Sequence, residues 1–484
     1  MLRAHARWAR WLLGTLALAT LPGQVAACDQ IFSIDEISPD ASTSRPGPDA
    51  GGRDARGDGR VDGTASSDAL LPDAKLDASA GDAGSDTALP PVDASGCGPA
   101  PTSALYVNAA AQSGGNGTMK CPFTTIGAAL AFLPTMPTSP VTVNVAGGQY
   151  HEENLAVPVN ATLQGAGTSG AGATTILGTS SATCTGSSYC ALRLAPGGTV
   201  SGVIIQVPDD GQATYGILAE AATGDAGVPL VPIVRDVLVT GTTASGILAQ
   251  GSITLGPGVT ATQSTLAGLT SNGAGVVTIV GGSPASHFDD NMQDGIELTG
   301  SATLKFLGGT ASHNKDDGVA LRGSGAGHTI TSLVANTNGL RGLVVTAHNG
   351  DGGTVPQSVV VEGSDLSQNQ AGLYYDYGSA PPGTGDPLDI GTSIAAPGNV
   401  IFTASPHPTT GAGLLLCNAR GKSSPQPAYA DTFSSCMPSL ALDTSCGAFP
   451  AAYVDVSYAT RSDGGGAPLS GCACPMGTTA TDCP

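Results

Sequence analysis

From residue 200 onward the apolar positions fall in short alternating runs rather than at the spacing of a helix, and one unit recurs. It is a glycine, an aliphatic residue, any residue, then a small or apolar one. It reads GILA at Gly216 and Gly246, GLTS at Gly268, GIEL at Gly295, GVAL at Gly318, GLVV at Gly342 and GLYY at Gly372. The intervals between these glycines are 30, 22, 27, 23, 24 and 30 residues. A unit of that length with one strand-like apolar face cannot bury it alone, so successive units must stack. The pattern therefore predicts an all-β fold: a right-handed parallel β-helix, or solenoid, whose coils differ in their loops. Ile296, Val319, Leu343 and Leu373 are expected to stack inward as one core column.

Four residues before the glycine stand Asn291, Asn314 and Asn338 in successive units, with Gln368 in the next. Side-chain amides repeated at one position can hydrogen-bond from coil to coil, since stacked strands lie about 4.8 Å apart. The glycine that follows is expected to supply backbone freedom for the turn into the strand.

Composition sharpens this picture. Seventy glycines and 4% aromatics suit tight coils filled by small and aliphatic side chains. Residues 38 to 96 are a different material, dominated by Asp, Ala, Gly, Ser and Pro, which cannot bury enough apolar surface to offset the entropy of ordering. They predict a disordered acidic stalk. Ahead of it, MLRAHARWAR carries Arg3, Arg7 and Arg10 and leads into WLLGTLALATL, too short for a permanent membrane span but suited to an export signal. The segment ends VAAC at Val25 to Cys28, which resembles the lipobox of bacterial lipoproteins and implies a lipid on Cys28. The expected organisation is a lipoprotein signal peptide over 1–27, a linker over 28–97, and a β-helix domain with a cysteine-rich C-terminal region over 98–484. The expected location is the cell envelope, lipid-anchored at the outer membrane or cell surface.

The formal net charge of −20 disfavours nucleic acid as a partner. Of 11 cysteines, setting Cys28 aside leaves ten: Cys97, Cys121, Cys184, Cys190, Cys417, Cys436, Cys446, Cys472, Cys474 and Cys483. An even set in an exported chain suits disulfides. Cys472-Ala-Cys474 lacks the second pair or nearby histidine that a metal site needs, so no metal centre is expected there.

Residues 106 to 133, YVNAAAQSGGNGTMKCPFTTIGAALAFL, resemble the opening block of secreted bacterial pectin-lyase-like β-helix proteins of a domain-of-unknown-function family. In that family a YV strand, a Gly-Asn-Gly-Thr turn, Pro-Phe-x-Thr-Ile and an Ala-Leu helix follow in order. Here they match Tyr106-Val107, Gly115 to Thr118, Pro122 to Ile126 and Ala129-Leu130. The resemblance extends through Gly148-x-Tyr150-x-Glu152 and residues 387 to 402. It implies a short N-terminal helix covering the open end of the solenoid. It implies no reaction, because fold alone does not carry function.

The candidate chemistry lies in DDGVALRG. Asp294 and Asp317 each precede a repeat glycine and should stack in adjacent coils, beside Asp316. Stacked carboxylates at about 5 Å could serve a two-carboxylate glycosidase or hold Ca²⁺, the one ion these residues suggest in a chain otherwise without an expected cofactor. Yet the next residue in the column is Arg341, which can neutralise them and make the column an ion-paired ladder. The order Asn291-Met-Gln-Asp294, then Asp316-Asp317, is similar to polygalacturonases, but their later His-Gly and Arg-x-Lys blocks have no counterpart here. Tyr374, Tyr375, Asp376 and Tyr377 could offer aromatic faces for sugar stacking, or edge packing under the loop that follows. The expected function is an envelope-anchored lipoprotein with a non-catalytic binding or structural role toward polysaccharide. The alternative is a polysaccharide hydrolase or lyase using Asp294, Asp316 and Asp317.

Overall fold

The computed structural model describes residues 96–376 apart from 179–182, 186–187, 208–211, 213, 223–229, 347, 351–352 and 356, together with short strands between 388 and 461. Cys28, the stalk, Tyr377, Cys436, Cys446, Cys472, Cys474 and Cys483 lie outside the described residues, and of Cys417 only its place in a strand is described. The described residues fall in the compact unit Asp86–Pro484.

The chain winds as a right-handed parallel β-helix. One sheet runs from Ala104–Val107 through Val141–Val145, Ala161–Gln164, Thr199–Gln206, Ile233–Thr240, Ile253–Leu255, Ala274–Ile279, Ser301–Phe306 and His328–Thr331 to Val359–Glu362 and Leu388–Ile390. The second stacks Leu155–Val157, Ser188–Leu194, Thr214–Ala219, Ile247–Ala249, Leu269–Ser271, Ile296–Leu298, Val319–Leu321, Arg341–Val345, Ala371–Asp376 and Ala412–Cys417. A third, narrower face is held by parallel bridges linking Thr260, His287 and Thr310. The right hand is the one that parallel crossovers take.

Ile217, Ile247, Leu269, Ile296, Val319, Leu343 and Leu373 pair in succession along the second sheet, so each glycine interval is one coil. All seven side chains are fully buried. Burying each stabilises the fold by about 1.5–3 kcal/mol relative to exposure, and no coil keeps that gain without its neighbours.

The opening block closes the first coil. Helix Ile126–Phe132 buries Ile126, Ala129 and Leu130, and the Thr125 hydroxyl caps it by accepting from Ala128 N. Glu152, the acid of the Gly-x-Tyr-x-Glu block, accepts from Ile126 N and Gly127 N at 2.6 Å each. A carboxylate facing the positive end of a helix is favourable, so the second block fixes the cap predicted from the first. Tyr150, between them in sequence, is buried and donates its hydroxyl proton to Ala146 O. Cys97–Cys121 ties the start of the domain to this region, and Cys184–Cys190 closes a small hairpin.

The amide ladder forms with one substitution of position. Asn314 Oδ1 accepts from Asn291 N and Nδ2, and Asn338 Oδ1 accepts likewise from Asn314. The next rung is Asn369 rather than Gln368: Asn369 Oδ1 accepts from Asn338 N at 2.8 Å. That coil is one residue shorter between rung and glycine. Gln368 instead takes the left-handed turn position, φ 59°, equivalent to Gln263, Asp290, His313 and Thr337, each just before its own rung. The turn is thus made by these residues and not by the repeat glycines, none of which has a positive φ. The glycines are required by space. A Cβ at Gly295 would lie 2.8 Å from Asn314 Nδ2 and 2.6 Å from Gly318 O.

His328 lies on the first sheet, away from the aspartates, and is buried. Its Nδ1 accepts from Leu304 N at 3.0 Å, so Nε2 carries the proton and donates to Gln357 Oε1 at 2.9 Å. Burial holds this imidazole below the ordinary histidine range. The unfolded chain therefore takes up a proton that the folded chain refuses. The stabilising difference is complete above about pH 6.5 and is lost as the pH falls towards the folded value. Urea unfolding of wild type and His328→Gln between pH 7.5 and 5 should show wild type losing up to about 1.4 kcal/mol more per pH unit within that window. Parallel profiles would remove His328 from the account.

Candidate functional site

The outward face of the second sheet carries the aspartates, and backbone register decides what they touch. Asp294 and Asp317 stack, with Asp294 Oδ1 accepting from Asp317 N at 3.0 Å. Asp317 Oδ1 accepts in turn from Arg341 N at 3.1 Å and from Arg341 Nε at 2.8 Å. Asp317 Oδ2 accepts from Arg341 Nη2 at 3.1 Å and Arg322 Nη2 at 2.9 Å. Arg322 Nη1 also reaches Asp294 Oδ2 at 2.5 Å and Glu297 Oε1 at 2.8 Å. One guanidinium thus bridges three carboxylates from two adjacent coils, and a second grips Asp317.

Asp317 has no side-chain exposure and Asp294 4%, whereas Arg322 keeps 32%. Burial pushes the Asp317 carboxyl up, while hydrogen bonds from Arg341 and the charges of both arginines pull it back. Burial also raises Glu297, opposed by Arg322. Burial would lower Arg322, but Asp294, Asp317 and Glu297 together hold it above its ordinary value. Asp316 differs. Its carboxylate accepts no hydrogen bond among the described residues, and burial followed by the Asp294 charge raises it.

Sequence reasoning followed the column before the glycines and so reached Arg341, but it missed Arg322 and Glu297. Alternation held the signal. Counting outward positions along Val319–Leu321 places Ala320 and then Arg322 outward, with Glu297 opposite Ala320; Asp317 is out of phase with them and shares their face because Gly318 and Val319 both face the interior. What alternation does not give is the reach of a long side chain back across the strand.

The tyrosine run divides by the same rule. Tyr375 is buried in the core and donates to Gln357 O, so it is not a surface group. Tyr374 and Asp376 are half-buried and face outward, with Arg341 Cζ 5.1 Å from the Tyr374 ring centre. The structure therefore joins the tyrosine run to the aspartate ladder, which the sequence treats separately. Among the described residues no group of three or more His, Cys, Asp or Glu side chains is placed to hold a metal ion. Cavities of about 370 and 430 Å³ lie at the N-terminal end, and neither is lined by a ladder residue.

No family model and no curated protein matches the chain. Solved structures with some likeness include the A-module of mannuronan C-5 epimerase AlgE6 from Azotobacter vinelandii, at 18% identity over 64% of this chain and 81% of that one, TM-score 0.42. Pectate lyase Pel9A gives 16% identity over 70% and 76%, TM-score 0.29. The catalytic domain of a GH87 α-1,3-glucanase in complex with nigerose gives 11% over 70% and 59%, TM-score 0.23. Scores this low bear on neither substrate nor chemistry. By its own coil register the chain is a right-handed parallel β-helix.

Proposed function

We propose that this chain is a non-catalytic, envelope-anchored β-helix that binds polysaccharide on the outward face of its second sheet. The observation that carries this reading is the ion-paired ladder. Asp294, Glu297 and Asp317 are each held by Arg322, and Asp317 by Arg341 as well, so none is left as a free acid or nucleophile. A glycosidase needs one carboxyl that holds a proton and another that attacks or activates water. Tyr374 beside Arg341 supplies an aromatic platform of the kind sugars stack on. Lipid on Cys28 and the acidic stalk complete the proposal.

One observation favours catalysis, and it concerns Asp316 alone, the carboxyl with a raised pKa and no arginine partner. The full chain and its Asp316→Asn variant, incubated with a polysaccharide panel, should show binding without reducing ends or unsaturated products in either. Turnover that Asp316→Asn abolishes would replace the binding reading with an enzyme.

A further inference from the structure

We infer that the ligand is an uncharged glycan segment lying along the solenoid axis between the Cys184–Cys190 hairpin and Tyr374, and that polyuronates are refused. This rests on the polysaccharide reading above and names its ligand class.

The first ground is charge. Asp294, Glu297, Asp316 and Asp317 stand against Arg322, Arg341 and Lys315, whose charge reaches Asp316, so the face carries one more formal negative charge than positive ones, on a chain of net −20. Both guanidiniums are already held by carboxylates of the protein. A uronate arriving here would have to displace one of them, stranding a buried carboxylate, or approach Asp316, which no guanidinium hydrogen-bonds among the described residues.

Hydroxyl groups meet no such barrier. They donate to Asp316, whose carboxylate has no partner among the described residues, and to the remaining lone pairs of Glu297. They accept from Arg341 Nη1 and Arg322 Nε, which donate to nothing described. A hydroxyl that both donates and accepts fits this mixture, and a carboxylate that only accepts does not.

The second ground is length. At the N-terminal side, Leu218 and Leu248 occupy outward positions yet are buried in a cluster with Cys184 and Cys190, so the hairpin covers those coils. The outward column then continues through Thr270, Glu297, Ala320 and Val344 to Tyr374; Ala320 and Val344 are themselves buried, so the groups a ligand meets along it are the part-exposed side chains of Glu297, Arg322, Arg341 and Tyr374. Four coil steps of about 4.8 Å give roughly 19 Å. That span seats a short run of sugars with the last one at Tyr374.

The test is isothermal titration of the full chain with laminarin, xylan and galactomannan against polygalacturonate and alginate, each with EDTA and with Ca²⁺. Glu297→Gln, Asp316→Asn and Tyr374→Ala run alongside, with circular dichroism to confirm folding. The expected result is binding of at least one neutral glycan and none of the polyuronates. Tyr374→Ala should weaken the neutral ligand by about tenfold. Glu297→Gln with Asp316→Asn should bring in polyuronate binding that the wild type lacks, by removing repulsion. Polyuronate binding as tight as neutral binding, with or without Ca²⁺, would overturn the ligand class and leave polysaccharide binding standing. Neutral binding unchanged in Tyr374→Ala would overturn the placement. No binding of either class would overturn the function and this inference together.

Discussion

Asp317→Ala should destabilise the β-helix by roughly 3–5 kcal/mol, the cost of breaking a buried ion pair from one side. Its carboxylate is wholly buried and receives Arg341 through two side-chain nitrogens and the backbone, plus Arg322. The alanine leaves two part-buried guanidiniums facing a void and the Arg341 amide without its acceptor. Asp317→Asn keeps a carbonyl for that amide and fills the space, so it should cost less. Adding Arg341→Met to Asp317→Ala should recover part of the loss by removing a stranded charge. Because coils contact only their neighbours, the damage should be local. Hydrogen exchange should lose protection first in Ile296–Leu298, Val319–Leu321 and Arg341–Val345. A loss within about 1 kcal/mol, or an additive double variant, would show that the ladder is a surface network of little energetic weight.

The same residues show how far sequence carries. Glycine spacing gave the coils because each coil must return one apolar strand to the same column, and that demand is written in the residues themselves. The column Asp294, Asp317, Arg341 was legible for the same reason, since register follows the column. Two kinds of fact were not. Arg322 acts through its length, reaching back past its own strand to Asp317 and to Asp294 on the neighbouring coil, and a one-dimensional pattern records position but not reach. Gln368 occupies the position predicted for a rung because counting back from the glycine assumes a constant turn, and in that coil the turn is one residue shorter. Likewise the glycines were assigned conformational freedom, when the neighbouring coil's amide and carbonyl leave no room for a Cβ. Both errors come from treating a coil by itself, whereas its constraints come from the coil stacked upon it.

Asn314→Ala should be comparably severe, about 3–5 kcal/mol, although no charge is involved. Among the described residues, Asn314 is the rung whose side-chain amide bonds to the side-chain amides of both neighbouring rungs. It accepts from Asn291 N and Nδ2, and it donates to Phe288 O and Asn338 Oδ1. Alanine leaves the Asn291 amide, its side-chain NH₂ and the Phe288 carbonyl short of partners, all in the interior. Each such group costs about 1–3 kcal/mol, less whatever water can reach. Asn314→Asp separates the two directions of bonding. It keeps the acceptor for Asn291 but cannot donate to Phe288 O, and it sets a carboxylate against Asn338 Oδ1, so it should be no better than alanine at neutral pH and recover on acidification as the acid gains a proton. Gln368→Ala, at the turn position beside the ladder, removes only an exposed bond to Thr337 and should cost less than about 0.5 kcal/mol. Urea midpoints for the three variants decide between ladder and turn. Equal losses at Asn314 and Gln368 would mean that the coil depends on its exposed turn, and the buried amides would then follow the stacking rather than fix it.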